Sequence, residues 1–519
     1  MHRVLLIALL LCLGACATPP QIQTSQAIPA ERSSFGQRLQ ALAAAHPGQS
    51  GFRLLPASNE AFAARAELIR AAQHSLDLQY YIIHDGLSTR ALFDEILTAA
   101  DRGVRVRLLI DDTSSDGRDY QIARFAAHPN IQVRLFNPLH LGRTMGITRL
   151  LGRALNLGQQ HRRMHNKLWL ADSSAAIVGG RNLGDEYFDA EPNLNFTDID
   201  LLAVGPVAEQ LAHSFDQYWN SALSKPVQQF VWRQAKPAEV EQSRQRLRGY
   251  LARARLEQKT LYERLLAYRH TPQLETWLSE LTWAHGSALW DAPSKVLASG
   301  IPDAHLLLTS QLQPDLEQLS EELILVSAYF VPAPEGLGYL TAHADAGVDV
   351  RLLTNSLEAT DVPAVHGGYA PYRKALLEHG IRLFEMRRQP DGEGPVGGSG
   401  APYSFSGASN SSLHSKAMII DQRKVFIGSL NFDPRSVLWN TEVGVLIDSP
   451  LLSQRVRELA LQGMQPSLSY EVRLTDDGKR LVWIAEDNGQ EHVIEQEPGG
   501  AWRQFNAWFA RVIGLERLL

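Results

Sequence analysis

His165-Asn-Lys167-Leu-Trp-Leu-Ala-Asp172 and His414-Ser-Lys416-Ala-Met-Ile-Ile-Asp421 are two copies of one pattern, His-x-Lys-x(4)-Asp, in a chain of 519 residues. In each copy the His and Lys stand two positions apart, so on a β-strand both side chains leave one face. The apolar residues that follow supply a buried strand. Asp172-Ser-Ser and Asp421-Gln-Arg-Lys424 then read as hairpin turns. The returning strands bring Gly179-Gly180-Arg-Asn182 and Gly428-Ser429-Leu-Asn431 back beside the histidines. Glycines there let a phosphate approach the backbone closely. One such pattern alone is a weak signal. Two, each with the same Gly-x-x-Asn tail, make a constellation.

These residue types suit phosphodiester chemistry. Attack at phosphorus builds negative charge on its oxygens, which Lys167 and Lys416 can stabilise, with Asn182, Asn431 and Ser429 as hydrogen-bonding phosphate contacts. One neutral imidazole can attack phosphorus, giving a covalent phosphohistidine. The other, protonated, can donate to the leaving alcohol and then deprotonate the acceptor. No metal and no cofactor is required, because side chains supply the positive charge. About thirty residues beyond each His comes an acid in a similar frame: Asp198 in Phe196-Thr-Asp-Ile-Asp200 and Glu442 in Asn440-Thr-Glu-Val-Gly444. A carboxylate on one ring nitrogen fixes the tautomer and leaves the other nitrogen reactive. Asp172 and Asp421 are grouped with the catalytic residues by the motif, but they can equally organise the turn or pair with a basic residue away from phosphate.

The duplication extends outward at an offset of about 250 residues. Ser75-Leu-Asp-Leu-Gln-Tyr-Tyr-Ile82 matches Leu323-Ile-Leu-Val-Ser-Ala-Tyr-Phe330, and Gly103-Val-Arg-Val-Arg-Leu-Leu-Ile110 matches Gly347-Val-Asp-Val-Arg-Leu-Leu353. Ile131-Gln-Val-Arg-Leu-Phe136 and Ile381-Arg-Leu-Phe384 follow. Strands alternating with helical stretches predict an α/β fold: two duplicated α/β/α halves with mixed, largely parallel sheets around one shared site. The halves are expected at 51–235 (motif region 160–187) and 301–465 (motif region 409–436), with a charged helical connector at 236–300. The Gly/Ser/Pro-rich stretch 391–412 reads as a loop, either a lid or a plain solvent loop. The extension 466–519 ends in an apolar helical stripe of Trp502, Phe505, Trp508, Phe509, Val512 and Ile513, suited to a membrane interface or to docking on the body.

Composition is ordinarily globular, with 45% hydrophobic and 20% charged residues. The net charge of −6 offers no global basic field, so no nucleic acid partner is expected. The N-terminus is basic, then apolar from Val4 to Leu13, then small, which predicts a signal peptide over 1–15. Leu13-Gly14-Ala15-Cys16 resembles a bacterial lipobox, which implies acylation of Cys16 and a flexible tether over 16–50. Cys12 and Cys16 are the only cysteines, so the mature body has no disulfide and no cysteine metal site. The anchor and Ala17 point to a bacterial cell envelope, periplasm-facing, with the outer membrane favoured over the inner.

At the two motifs the chain resembles the phospholipase D superfamily, over residues 51–465. Gly179-Gly-Arg-Asn-Leu-Gly-Asp-Glu-Tyr-Phe188, Asn431-Phe-Asp-Pro-Arg-Ser436 and Tyr80-Tyr-Ile-Ile-His84 are similar to bacterial cardiolipin synthases, particularly the type C branch. That resemblance implies transfer of a phosphatidyl group between phospholipids, with His165 as nucleophile and His414 as acid/base. The first copy departs from it in carrying Gly180 where the second carries Ser429. Three other readings stay open: hydrolysis to phosphatidic acid, a nuclease or other phosphodiesterase, and a non-catalytic lipid-binding lipoprotein.

Overall fold

The structure is a computed structural model that describes residues 24–115, 118–139, 161–192, 194–388 and 411–512. Cys16, the signal segment and most of the 391–412 loop lie outside these residues.

The first half contributes β1 (Ser50–Leu55), β2 (Ser75–Tyr80), β3 (Arg105–Asp111), β4 (Ile131–Phe136), β5 (Leu168–Ala171), β6 (Ala175–Gly179), β7 (Asn195–Thr197), β8 (Asp200–Val204) and β9 (Ser224–Pro226). The long strand β10 (Thr282–Trp290) opens the second half. It continues with β11 (Glu322–Ser327), β12 (Asp349–Asn355), β13 (Arg382–Met386), β14 (Ser411–Leu413), β15 (Lys416–Ile420), β16 (Lys424–Gly428) and β17 (Val443–Asp448). Strands β18 (Ser469–Leu474), β19 (Leu481–Asp487) and β20 (Gln490–Ile494) close the chain's sheet content.

The two halves repeat one topology. In the first, β1-β8-β6-β5-β2-β3-β4-β9 lie side by side. In the second, β10-β17-β16-β15-β11-β12-β13-β18 do the same, extended by β19 and β20. The fold is thus mixed α/β and duplicated, as expected. Its parallel pairs are β2–β3, β3–β4, β11–β12 and β12–β13. Antiparallel ladders make up the rest of this sheet, which corrects the expectation of largely parallel sheets: each motif strand returns antiparallel through a tight hairpin and pairs antiparallel with the leading strand. Each hairpin loop has three residues, 172–174 and 421–423, and Asp172 and Ser173, like Asp421 and Gln422, have φ near +50°, the left-handed pair of a tight turn.

The halves are fused rather than merely adjacent. β10 pairs with β1 through Thr282–Ala284 and with β17 through His285–Trp290, joining all into one eighteen-stranded sheet. The connector region expected to be helical therefore ends in a strand. Its helices, Pro237–Glu257, Lys259–Leu265 and Leu274–Ser279, do precede it. The facing sheet surfaces share one core, with Leu168, Leu170 and Val178 from the first half and Ala417, Ile419 and Ile427 from the second. The helices Pro206–Trp219 and Pro450–Gly463 fill its flanks with Leu211, Phe215, Val456 and Leu459. The tether expected over 16–50 packs on the body where it is described: Ser25 and Ala27 bond to Asn220 and Asp216, and helix Ser34–Ala44 buries Phe35 and Leu39. No helix among the described residues is long and apolar enough to cross a membrane.

Asp172 and Asp421 do not join the lysines and histidines, which corrects their grouping with the catalytic residues. Asp172 accepts from the backbone amides of Gln73, His74 and Ser75 at 2.8–2.9 Å, tying the turn to the start of β2. Asp421 does the same for Ser320, Glu321 and Glu322 at the start of β11. A short acid with both oxygens spent on three amides is a structural clamp, and the first of the two is buried. Asp172→Ala is accordingly expected to cost about 3 kcal/mol of stability and Asp421→Ala about 1 kcal/mol, because burial leaves the orphaned amides without water. Denaturant unfolding of the two variants measures the difference; equal costs would remove the clamp.

Candidate active site

The motif residues are placed by an exchange of strand edges between the halves. The amide of His165 donates to Thr441 O at 2.8 Å, and the amide of Thr441 donates to Arg163 O at 2.9 Å. Reciprocally, β14 pairs in parallel with β7, and the amides of His414 and Ser415 donate to Thr197 O at 2.8 and 3.1 Å. The residue after each of these threonines is an acid. Its carboxylate therefore meets the imidazole of the opposite half. Glu442 holds His165 Nδ1 at 2.9 Å through both oxygens, and Asp198 Oδ2 holds His414 Nδ1 at 2.7 Å. The histidine–acid pairing legible in the sequence is thus real in kind and crossed between the copies.

All four side chains are buried. Burial, then the two lysines, hold both imidazoles well below their ordinary range. Burial pushes the Asp198 carboxyl up, and it raises Glu442 to about 7. Each acid holds its ring at Nδ1, which leaves Nε2 as the ring nitrogen available for chemistry. Each imidazole feels both lysines, and His414 also feels His165, so the two motifs converge electrostatically on one pocket.

Lys167 Nζ donates to His165 O at 2.6 Å, and Lys416 Nζ likewise donates to His414 O. Burial depresses both ammonium groups, Lys167 well below its usual range. An anion brought among them would favour their charged forms, which is the electrostatic requirement for binding a phosphodiester.

The phosphate contacts expected of the Gly-x-x-Asn tails divide. Ser429 is already committed: its hydroxyl donates to Glu442 Oε2 at 2.5 Å and accepts from the Val443 amide at 3.1 Å. It positions the acid, which corrects its reading as a phosphate ligand. Gly180, its counterpart, has no room for a side chain: a Cβ there would lie 2.3 Å from Asp198 Oδ2. The glycine thus makes room for a carboxylate. Asn182 accepts from the Ile82 amide at 3.2 Å and donates to Tyr187 Oη at 2.8 Å, so it braces the wall beside His414. Asn431 is buried, and its side-chain carbonyl has no hydrogen-bond partner among the described residues.

Four aromatic residues of the quoted stretches also line the site. The Tyr81 ring lies 5.0 Å from the His165 ring and 5.4 Å from Lys167 Nζ. Tyr187 and Phe196 stand 5.3 and 5.1 Å from the His414 ring. Tyr329 donates to Asp361 at 2.7 Å, and Asp361 acts electrostatically on His414 and Lys416. Behind Glu442, its own amide donates to Asp291 Oδ2 at 2.8 Å, and Asp291 pairs with buried Lys295 at 2.9 Å. Asp361 lies outside those stretches. Asp291 and Lys295 lie in the connector, where no repeat marks them.

A duplicated α/β scaffold with paired His-x-Lys strands and two buried histidine–carboxylate pairs defines a class of phosphodiester-handling proteins. The sequence profile described as "Cardiolipin synthase, PLD-like domain" matches residues 66–219 and 314–462, so the chain belongs to that family. Cardiolipin synthase C of Escherichia coli (strain K12) is 37% identical over 482 residues, covering 92% of this chain and 98% of that relative. An uncharacterized protein of Helicobacter pylori (strain ATCC 700392 / 26695) is 31% identical, covering 86% and 84%. Among solved structures, phosphatidylserine synthase of Haemophilus influenzae Rd KW20 superposes with a TM-score of 0.57 over 93% of this chain and all of that one, at 13% identity, which speaks to the fold alone.

Gly180→Ala tests the crossed pairing. The added methyl must displace Asp198 from His414, and a shift of about 1 Å at a reacting group costs about 10²-fold in rate. Phosphodiester turnover is expected to fall by that factor with the circular dichroism unchanged. Wild-type turnover in a folded Gly180→Ala variant would contradict the assignment.

Proposed function

We propose that this protein is a phosphatidyltransferase of the cardiolipin synthase type, working through a phosphohistidine. The observation that carries this reading is the crossed pair of imidazole–carboxylate contacts, which holds two imidazoles at Nδ1 within electrostatic reach of two lysines. The similarity to cardiolipin synthase C over nearly its whole length supports the choice of phospholipids as substrates.

His165 is assigned as nucleophile and His414 as acid/base. Nε2 of His165 attacks the phosphorus of the donor phospholipid. The bond from phosphorus to the headgroup oxygen breaks, and a protonated His414 gives its Nε2 proton to that oxygen. Glu442 and Asp198 hold the Nδ1 protons and stabilise the imidazolium forms. Lys167 and Lys416 carry the charge developing on the phosphoryl oxygens. The acceptor hydroxyl then loses its proton to His414 and attacks phosphorus, and the phosphorus–nitrogen bond breaks to restore His165. Water in place of the alcohol would give phosphatidic acid, so transfer depends on excluding it. Tyr81, Tyr187 and Phe196 wall the two rings and serve that end.

Two phospholipids, one labelled in the acyl chains and the other in the headgroup, separate the alternatives. A product carrying both labels is expected; phosphatidic acid as the sole product would refute transfer. His165→Ala is expected to abolish turnover and the acid-labile phosphoryl adduct together. His414→Ala lowers the rate by at least about 10²-fold while leaving the adduct detectable with donors of good leaving groups. An adduct in His165→Ala and none in His414→Ala would reverse the assignment.

We infer also that Cys16 carries an acyl anchor, placing the enzyme in the cell envelope beside its substrates, where tethering raises their effective concentration. Radiolabelled palmitate is expected in the wild-type protein and absent from Cys16→Ser; equal labelling would dismiss the anchor.

A further inference from the structure

The C-terminal helix Ala501–Val512 is held on one side and bare on the other. Its held side is built for close approach: Ala507 is buried, and a Cβ on Gly367 would lie 2.3 Å from the Ala507 carbonyl oxygen. Arg503 donates to Leu357 O at 3.1 Å and Thr360 O at 2.6 Å. Just before the helix, Glu497 binds His366 at 2.6 Å and Arg373 at 2.8 Å, and these anchor its root to the body. Arg373 thus pairs with both acids of the His366–Glu385–Glu497 group, so their charge is already met within the protein.

The bare side is aromatic. Trp502 is 72% exposed, Val512 59%, Phe505 and Trp508 48% each, and Phe509 46%. At 3.6 residues per turn these five fall within an arc of about 120°, a single apolar stripe. The rings stack on one another, Phe505 with Trp502 at 5.7 Å and with Phe509 at 6.1 Å, so the stripe is preformed. Burying such rings is worth about 1.5–3 kcal/mol each, and no described residue covers them. A cation flanks the stripe: Arg511, one step round the helix from Trp508, is exposed.

Its position links it to the chemistry. Thr360, which Arg503 grips, immediately precedes Asp361, and Asp361 accepts from Tyr329 at the His414 side of the pocket. The aromatic stripe and the catalytic pocket are thus one covalent loop apart. We propose that the stripe Trp502–Phe505–Phe509–Val512, with Trp508, inserts into a phospholipid bilayer and seats the pocket on the lipid surface from which its substrates come. This rests on the phosphatidyl-transfer reading for its purpose, though not for its occurrence. Tryptophan and phenylalanine on one helix face with arginine at the margin match the interfacial zone, where rings enter the acyl boundary and guanidinium groups meet lipid phosphates.

The full-length protein is mixed with phosphatidylethanolamine/phosphatidylglycerol vesicles carrying bromine on the acyl chains. Bromine is expected to quench tryptophan fluorescence, and Trp502→Phe/Trp508→Phe to lose most of that quenching. The variant Trp502→Ser/Phe505→Ser/Phe509→Ser is expected to lose about tenfold or more of its turnover on vesicles. On dihexanoyl phospholipids dispersed below micelle formation, it should stay within about twofold of wild type. Its changes are all on exposed side chains, so unfolding is not the expected cause of any loss. Equal quenching in wild type and the tryptophan variant, equal vesicle turnover, or equal loss on both substrates would overturn the proposal. So would protection of the stripe by the chain's own N-terminal residues or by a second copy. If the wild type turns over neither lipid, phosphatidyl transfer fails as a reading while the quenching still decides the docking.

Discussion

Two backbone hydrogen bonds, from His165 to Thr441 and from His414 to Thr197, govern the rest of this structure. Each lays the motif strand of one half along an edge of the other. The acid that follows each threonine then has only one imidazole to meet, and that imidazole belongs to the opposite repeat. A carboxylate this deeply buried is costly unless paired. The crossing therefore satisfies both acids and both rings by one device, and neither half possesses a complete histidine–acid pair of its own.

The same burial explains the chemistry. Burial keeps water from six ionisable groups, so the imidazoles bind protons less readily, the acids hold them more tightly, and the lysines are poorly stabilised as cations. Such a pocket is primed for an anion, whose arrival supplies the charge that the surroundings withhold. The support continues outward through Ser429 and Asp291 behind Glu442 and through Arg181, which donates to Asp198 O at 2.7 Å. These contacts fix the angle of each carboxylate, and through it the direction of the free Nε2.

Much of this was legible in the linear text because the pattern is doubled. The motif strands, their hairpin turns, the leading strands and the two acids all recur at an offset of about 250 residues. The crossing was not legible, since partners 277 and 216 residues apart leave no local mark. Nor was the fate of Ser429, whose hydroxyl suits a phosphate as well as a carboxylate. Asp172 and Asp421 look catalytic by proximity, yet a short acid at a turn satisfies amides more cheaply than it does chemistry. Strand β10 is not legible because Thr-Trp-Ala-His-Gly-Ser-Ala-Leu-Trp lacks clean alternation, and pairing along its whole length, first with β1 and then with β17, imposes the extended form on it.

The edge exchange also bears on how such a chain arose. A single-repeat ancestor could hold no finished site, but two copies related by a twofold axis would complete each other through a self-complementary contact. Joining them end to end frees the copies from identity. Gly180 and Ser429 occupy matching places and already do different work, one yielding space and the other steadying an acid. Broken symmetry of this sort lets one ring specialise in forming the bond to phosphorus and the other in moving protons, a division of labour closed to a perfectly symmetric pair.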